Sequence, residues 1–388
     1  MFRFYIPARI LYGAGSLGQL HEQALPGKKA LVVISSGKSA RASGALDRVL
    51  SELSMAGAQA VVYDRVGANP TREAVMAGAA VSRENGCDFI VGLGGGSVLD
   101  AGKGIAVMST NSGDLWDYMM AGSGGRKPLE AAPLPIVAIP TTAGTGSEAD
   151  VAAVITWEER HEKIGLRDPR QFPVLSIVDA ELMKGVPAHF TAYQGFDALF
   201  HSAESYISNK ANMMSDTCAL SAIEKVGQYL PRAVADGNDM EAREAMAFAS
   251  SMGGFVMSTA GTTSEHSMEH AISAYHTDVA HGAGLIMICE AYFERQARVH
   301  ACDERMIRMA KALGKADAAE PADFVAALHE LRAACGVDDL KMTDYGITEE
   351  ELPVFAHNAV TAMAFLFGNE RVPMTEEDCL EIYRRSYR

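Results

Sequence analysis

The sequence predicts an α/β domain built on a parallel, Rossmann-like sheet over residues 1–183, followed by an all-α domain over residues 184–388. Three observations predict it. Short continuous runs of β-branched and other apolar residues alternate with amphipathic segments up to about residue 180, the pattern of strands buried on both faces. Beyond that point the β-branched runs give way to Ala-, Met-, Glu- and Leu-rich stretches with helical spacing. Between them in character lies a Gly-rich loop, GLGGGSVLDAGK, joining a strand directly to a helix. A chain of 388 residues suits two domains of roughly 150 residues or more each.

The elements follow in order. KALVVIS (29–35) is a buried strand and SGALDRVLSELSMAG (43–57) a helix. AQAVVYD (58–64) is the next strand, TREAVMAGAAVSRENG (71–86) a helix with a glycine stop, and CDFIVGLGGG (87–96) a third strand running into the glycine loop. LPIVAIP (134–140) and VLSIVDA (174–180) add two strands. The second half holds helices over residues 190–207, 215–230, 241–257, 323–335 and 353–367. No internal repeat or low-complexity linker interrupts them.

Composition narrows the function. The chain is 48% hydrophobic and 21% charged with a net charge of −15, which disfavours nucleic acid and anionic membranes as partners and allows a small neutral substrate. The 6 cysteines are scattered with no CxxC pair, arguing against a disulfide framework or a zinc ribbon. No leader-like apolar core follows the N-terminus, and no apolar run approaches the roughly 18 residues of a membrane span. The expectation is a cytoplasmic protein.

Two loops carry glycines in a nucleotide-binding pattern. Gly13, Gly15 and Gly18 match GxGxxG, but no carboxylate stands about 20 residues on, where a ribose would need one. The second loop is better placed. Gly94, Gly95 and Gly96 free the backbone to approach a pyrophosphate at a helix N-terminus, Ser97 can donate a hydrogen bond or cap the helix, and Asp100 and Lys103 lie one turn further in. After the strand at 134–140, the turn PTTAGTGSEAD sets Thr141, Thr142, Thr145 and Ser147 where a ligand crevice would open.

A metal constellation follows in the helical half. Asp197 and His201 lie four apart on one helix face, and His266 and His270 share that spacing, with His281 beyond in a turn, AHG. One carboxylate (Asp197) and three imidazoles (His201, His266, His281) form a credible site for one divalent ion, Fe(II) or Zn. Phe196, Phe200 and Phe255 suggest an apolar pocket lining, although helical Phe also fills cores.

Taken in order and spacing, GGGSVLDAGK, PTTAGTGSE, GFDALFHSAESYIS and HxxxH…AHG resemble the iron-containing (group III) alcohol dehydrogenases, and HSMEHAISAY resembles their butanol-dehydrogenase-like branch. The resemblance spans most of the chain. It implies a dehydroquinate synthase-like architecture, with an N-terminal dinucleotide-binding domain, a helical C-terminal domain and the active site between them. By position, Asp197, His201, His266 and His281 would be the metal ligands, with His270 near the nicotinamide. Gly95, Gly96, Ser97, Val98 and Leu99 would hold the pyrophosphate. Thr141, Thr142 and Lys163 would touch the cofactor, with Asn69 and Leu182 nearer the adenosine part.

The chain departs from the family pattern in places. Ala271-Ile272-Ser273 follows His270 where many members have Pro-Leu-Gly, and the stretch to His281 is one residue longer, making His276 a rival ligand. Gly37 stands where NAD-preferring relatives often carry an Asp for the ribose hydroxyls, so NADP is expected to be tolerated, with Lys38, Ser39 or Arg41 as acceptors of its 2′-phosphate. The function implied is reversible hydride transfer between a small alcohol and the nicotinamide of NAD or NADP, assisted by one divalent metal (Fe2+, or Zn2+), in a homodimer or larger homo-oligomer. A glycerol dehydrogenase-like polyol oxidoreductase and a dehydroquinate synthase-like cyclase are the alternatives, the latter weakened by the lack of clustered Lys and Arg near the metal motifs.

Overall fold

The computed structural model describes residue 2 and residues 4–388; Met1 and Arg3, part of the stretch inspected for a leader, lie outside them. Among the described residues eight strands form: β1 (Arg9–Tyr12), β2 (Lys29–Ser35), β3 (Gln59–Val66), β4 (Phe89–Gly94), β5 (Ile136–Pro140), β6 (Ala152–Trp157), β7 (Glu162–Arg167) and β8 (Leu175–Val178). Six of them make one sheet in the order β1-β8-β5-β4-β2-β3, every pairing parallel. The five strands read from the sequence are all in it. Two apolar layers cover its faces. One includes Leu31, Val33, Ile90 and Ile105, the other Val32, Val91, Val137 and Ile177, so alternate residues of one strand feed opposite cores.

Three strands escape the periodicity reading. β1 lies at the sheet edge and none of its four residues is fully buried, so it leaves no continuous apolar run in the sequence. β6 and β7 form an antiparallel hairpin apart from the main sheet, and β7 (EKIGLR) carries charge at both ends. The hairpin projects toward the helical half, where the His161 ring stacks on Tyr275 with centroids 4.3 Å apart.

After β8 the chain turns through Ala180–Met183 and enters the helix Ala188–Ile207. The helices Met213–Ala235, Met240–Thr259, Ser264–Tyr275, His281–Arg298 and Ala322–Ala334 follow, around a core that includes Phe200, Ile223, Leu285, Phe293 and Leu328. The single helix expected over 353–367 is instead two, Leu352–Ala362 and Ala364–Phe367, broken where Met363 leaves helical geometry at φ −120° and ψ 36°. That break lets Ala362, Met363 and Leu366 pack into the apolar layer of the sheet domain. The two halves therefore interlock at this point as well as at the hairpin.

Candidate active site

Between the halves lies a cleft of about 430 Å³. Its walls come from the loops after β4 and β5, from the hairpin, and from the helices that carry the histidines. Opening at the carboxyl ends of parallel strands is where an α/β sheet places its ligand.

The glycine loop is shaped by its neighbour. β4 ends at Gly94, Gly95 precedes the helix Gly96–Thr110, and none of the three has a positive φ. What demands glycine is crowding: a Cβ on Gly96 would lie 2.4 Å from Cγ2 and 2.8 Å from Oγ1 of Thr145, and one on Gly95 would lie 3.0 Å from Thr142 Oγ1. The threonine turn after β5 thus presses on the loop after β4. At the helix start, the amides of Val98 and Leu99 donate to Gly95 O at 3.0 and 3.1 Å, leaving those of Gly96 and Ser97 as the free donors an anion would meet. Ser97 does not cap the helix; its hydroxyl donates to the Ala68 carbonyl.

The cofactor residues expected from sequence divide into two groups. Asn69, Gly95, Gly96, Ser97, Asp100, Thr142, Thr145, Ser147 and Lys163 line the cleft. Gly94, Val98, Leu99, Thr141, Leu182 and Gly37 do not. Val98 and Leu99 are buried and apolar, and a Cβ on Gly94 would meet Val98 Cγ2 at 2.6 Å. The Thr141 amide donates to Gly94 O at 3.0 Å, Leu182 packs under the sheet, and Gly37 lies beyond the end of β2. The apolar lining comes from other side chains than the expected Phe residues. Phe196 and Phe200 are core, and Phe255 is not on the wall, which is built by Phe190, Tyr193, Met257, Met363, Phe365 and Leu366.

Asp100 and Ser147 are already engaged. Asp100 accepts from Ser147 Oγ at 2.6 Å and from the Val154 amide at 2.9 Å. Lys103 is fully buried, donating to Ser147 Oγ at 2.8 Å, to the Ala152 carbonyl at 2.7 Å and to Asp150. Burial pushes Asp150 up to about 7 even with Lys103 beside it. This network ties the glycine-loop helix, the threonine turn and β6 together. Asn69 bridges the cleft itself, donating to the Thr277 carbonyl at 2.9 Å.

The histidines converge opposite. Asp197 Oδ1 lies 3.5 Å from His201 Nδ1, 3.6 Å from His266 Nε2 and 3.4 Å from His281 Nε2. Asp197 Oδ1, His201 Nδ1 and His266 Nε2 are buried without a hydrogen-bond partner among the described residues. Orphaned polar atoms cost about 1–3 kcal/mol each, so such a convergence asks for an occupant. Ligands about 2.1 Å from one ion in a tetrahedron stand about 3.4 Å apart, close to the spacings seen. The residues fit a divalent metal. His281 differs from expectation in one respect: it is not in a turn but opens the helix His281–Arg298.

Two carboxylates that sequence reasoning left unassigned support the imidazoles. Glu204 accepts from His266 Nδ1 and is itself held by the Thr263 amide at 2.8 Å and hydroxyl at 2.9 Å. Glu269 accepts from His281 Nδ1. The spacing of Glu204 from His201 on one helix was the only sequence signal, and it does not point to His266. Burial opposes the charged form of His266, but Glu204 and Asp197 raise it to about 10, whereas burial pushes His201 down to about 3. Burial pushes Asp197 up, yet His201 and His281 hold it well below the usual carboxylate range.

His270 lines the cleft with its ring 5.4 Å from that of His281, and burial together with Lys163 and His281 keeps it neutral. His276 is elsewhere, its Nε2 2.8 Å from Glu351 Oε1. The Gly13-Gly15-Gly18 match is a structural turn: Asp179 accepts from the amides of Gly15 at 3.0 Å and Leu17 at 3.1 Å.

Comparison with known proteins decides the family. The model described as iron-containing alcohol dehydrogenase matches residues 7–180, and that of the family's C-terminal domain matches residues 191–387. The chain belongs to the iron-containing alcohol dehydrogenase family. It is an NAD-linked, metal-dependent alcohol dehydrogenase. It is 35% identical to the 1,3-propanediol dehydrogenase of Klebsiella pneumoniae over 398 residues, covering 100% of this chain and 99% of that one. It is 32% identical to the NAD-dependent methanol dehydrogenase of Bacillus methanolicus, covering 92% and 93%. Among solved structures, an archaeal halo-thermophilic alcohol dehydrogenase from a Red Sea brine pool superposes with a TM-score of 0.93 at 34% identity, covering 100% and 99%. The NADH-dependent butanol dehydrogenase A of Thermotoga maritima does so with a TM-score of 0.89 at 26% identity, covering 100% and 99%. Among the described residues no helix of this dehydrogenase is long and apolar enough to cross a membrane.

Proposed function

We propose that this dehydrogenase oxidises small primary alcohols, or reduces the matching aldehydes, at a metal held by Asp197, His201, His266 and His281. The observation that carries the reading is the single carboxylate oxygen of Asp197 facing three imidazole nitrogens at 3.4–3.6 Å. A divalent ion in that position supplies Lewis-acid polarisation of an oxygen. The residues of the chain do the rest. The free amides of Gly96 and Ser97 receive the pyrophosphate, while Thr142 and Thr145 hold the loop in place. Asn69 and Lys163 line the same cleft beside them. His270, on the cleft wall beside His281, lies where the proton released as the alcohol is oxidised must pass on its way to solvent, and its neutral ring can orient the donor without competing for the metal. Hydride transfer then depends on alignment, which the interlocked halves maintain.

The relatives named for 1,3-propanediol and methanol support short alcohols, and the apolar wall of Phe190, Met257 and Phe365 suits an alkyl or hydroxyalkyl chain. A glycerol-type polyol is the second reading, favoured by Thr262 and Asp278 on the same wall. The cyclase reading loses ground because among the described residues the lining cations are Lys163 and Arg167, and Lys163 is paired with Glu269. The unit boundary near residue 183, a homodimer or larger assembly, and a cytoplasmic setting complete the proposal. Exposed Phe4 and Tyr5 ahead of β1 and Tyr12 at its end support assembly, and six free cysteines support a reducing compartment.

The test is His266→Ala. It should abolish metal retention and alcohol-dependent NADH formation while NADH binding, followed by fluorescence, stays close to wild type. Wild-type turnover in a metal-free His266→Ala enzyme would overturn the ligand set.

A further inference from the structure

Lys163, expected from sequence to touch the cofactor, has two protein partners: its Nζ donates to Ser273 Oγ at 2.9 Å and lies 3.5 Å from Glu269 Oε2. Glu269 is fully buried, and the same oxygen accepts from His281 Nδ1. Three elements thus meet in one chain of contacts: β7 carries Lys163, the helix Ser264–Tyr275 carries Glu269 and Ser273, and the next helix opens on His281. Ser273 belongs to the Ala-Ile-Ser stretch where this sequence departs from the family pattern.

We infer that Glu269 is a positioning residue for the metal site, holding His281 with its Nε2 free toward Asp197, and that Lys163 and Ser273 hold Glu269. A histidine donating Nδ1–H to a carboxylate has its tautomer and ring orientation set and its other nitrogen made more basic. His281 needs this more than its companions. His201 and His266 are enclosed and stacked with ring centroids 4.4 Å apart, whereas the His281 side chain is 24% exposed to the cleft. Among the described residues Glu269 is the hydrogen-bond partner of its Nδ1.

A competing assignment is that Glu269, His270 and His281, whose donor atoms lie within 4.8 Å of one another, bind a second cation. Lys163 answers it. An ammonium 3.5 Å from Glu269 already supplies the positive charge that the carboxylate needs, and it would repel an ion placed beside it. The buried carboxylate is thereby compensated on two sides, by Lys163 and by His281.

The inference rests on His281 being a metal ligand, so the experiment carries a control for that. Zn2+ affinity is measured by chelator competition, and the visible spectrum of the Co2+-loaded protein is recorded, for wild type, Glu269→Gln, Ser273→Ala and His281→Ala. Melting of each metal-free protein gives the structural baseline. Glu269→Gln should weaken Zn2+ binding by about 10–100-fold and shift the Co2+ bands. Ser273→Ala, which loosens Lys163 without removing a buried charge, should weaken it several-fold and serves if Glu269→Gln folds poorly. Wild-type Zn2+ affinity and Co2+ bands in Glu269→Gln, or in Ser273→Ala where that variant must stand in, overturn the inference when His281→Ala loses the metal. Retention of metal by His281→Ala overturns the ligand assignment, and the inference with it.

Discussion

Adding one methyl group to Gly96 tests the architecture of the cofactor loop. In Gly96→Ala the new Cβ would lie 2.4 and 2.8 Å from the two terminal atoms of Thr145 and 3.0 Å from its Cβ, all well inside van der Waals contact. The Gly96 backbone is already helical, so the strain comes from packing and not from φ. Overpacking of this kind costs about 1–3 kcal/mol. If half or more of it appears as displacement of the loop from the pyrophosphate, NADH binding weakens by about 2–140-fold, at about 1.4 kcal/mol per factor of ten. Thr145→Ala removes both offending atoms, so the double variant should recover most of the loss. The coupling in a cycle of Gly96→Ala, Thr145→Ala and the double variant should exceed about 1 kcal/mol. Fluorescence titration with NADH and thermal unfolding report the two ways in which the strain can be relieved. A Gly96→Ala enzyme with wild-type affinity and melting, or a double variant no better than the single, would refute the reasoning.

Three further outcomes concern pH and the cofactor. In the metal-free site His266 takes its proton at about 10, so protons compete with the metal throughout neutral pH; apparent metal affinity should climb steeply from pH 6 to 8. The sign reverses for stability of the metal-free protein, where the raised pKa is stabilising below about 6.5 and the contribution is lost as pH climbs toward 10. Metal affinity flat across this range, measured by chelator competition, would contradict the Glu204–His266 pairing. For the cofactor, a Cβ on Gly37 meets only Ser35 Oγ at 3.6 Å, so Gly37→Asp should be accommodated without strain. The new carboxylate should lower kcat/KM for NADP relative to NAD by at least about tenfold, a like-charge effect of roughly 1–2 kcal/mol. An unchanged ratio would place the 2′-phosphate elsewhere.

Local order in the chain made some features legible and left others hidden. Periodicity and β-branched runs located five of the six strands of the main sheet, because burial on both faces leaves that pattern in consecutive residues. It missed β1, β6 and β7, which are short or paired outside the main sheet. Helical spacing placed Asp197 with His201 and His266 with His270 on shared faces. It could not show that His270 stands off while His281, from the next helix, approaches Asp197, nor that His276 turns away to Glu351.

By itself the sequence determined the α/β-then-α architecture, the strand-to-helix glycine loop, and the four-residue spacing that pairs Asp197 with His201 and His266 with His270. These are properties of neighbours along the chain. Only the tertiary structure decided which glycine was crowded by which threonine, why Val98 and Leu99 serve the core, and how Glu204, Glu269, Lys163 and Ser273 brace the histidines. Glu204 lies 62 residues from His266, and Lys163 lies 106 residues from Glu269. Contacts over such distances arise from the packing of elements, which has no periodicity to betray it in sequence.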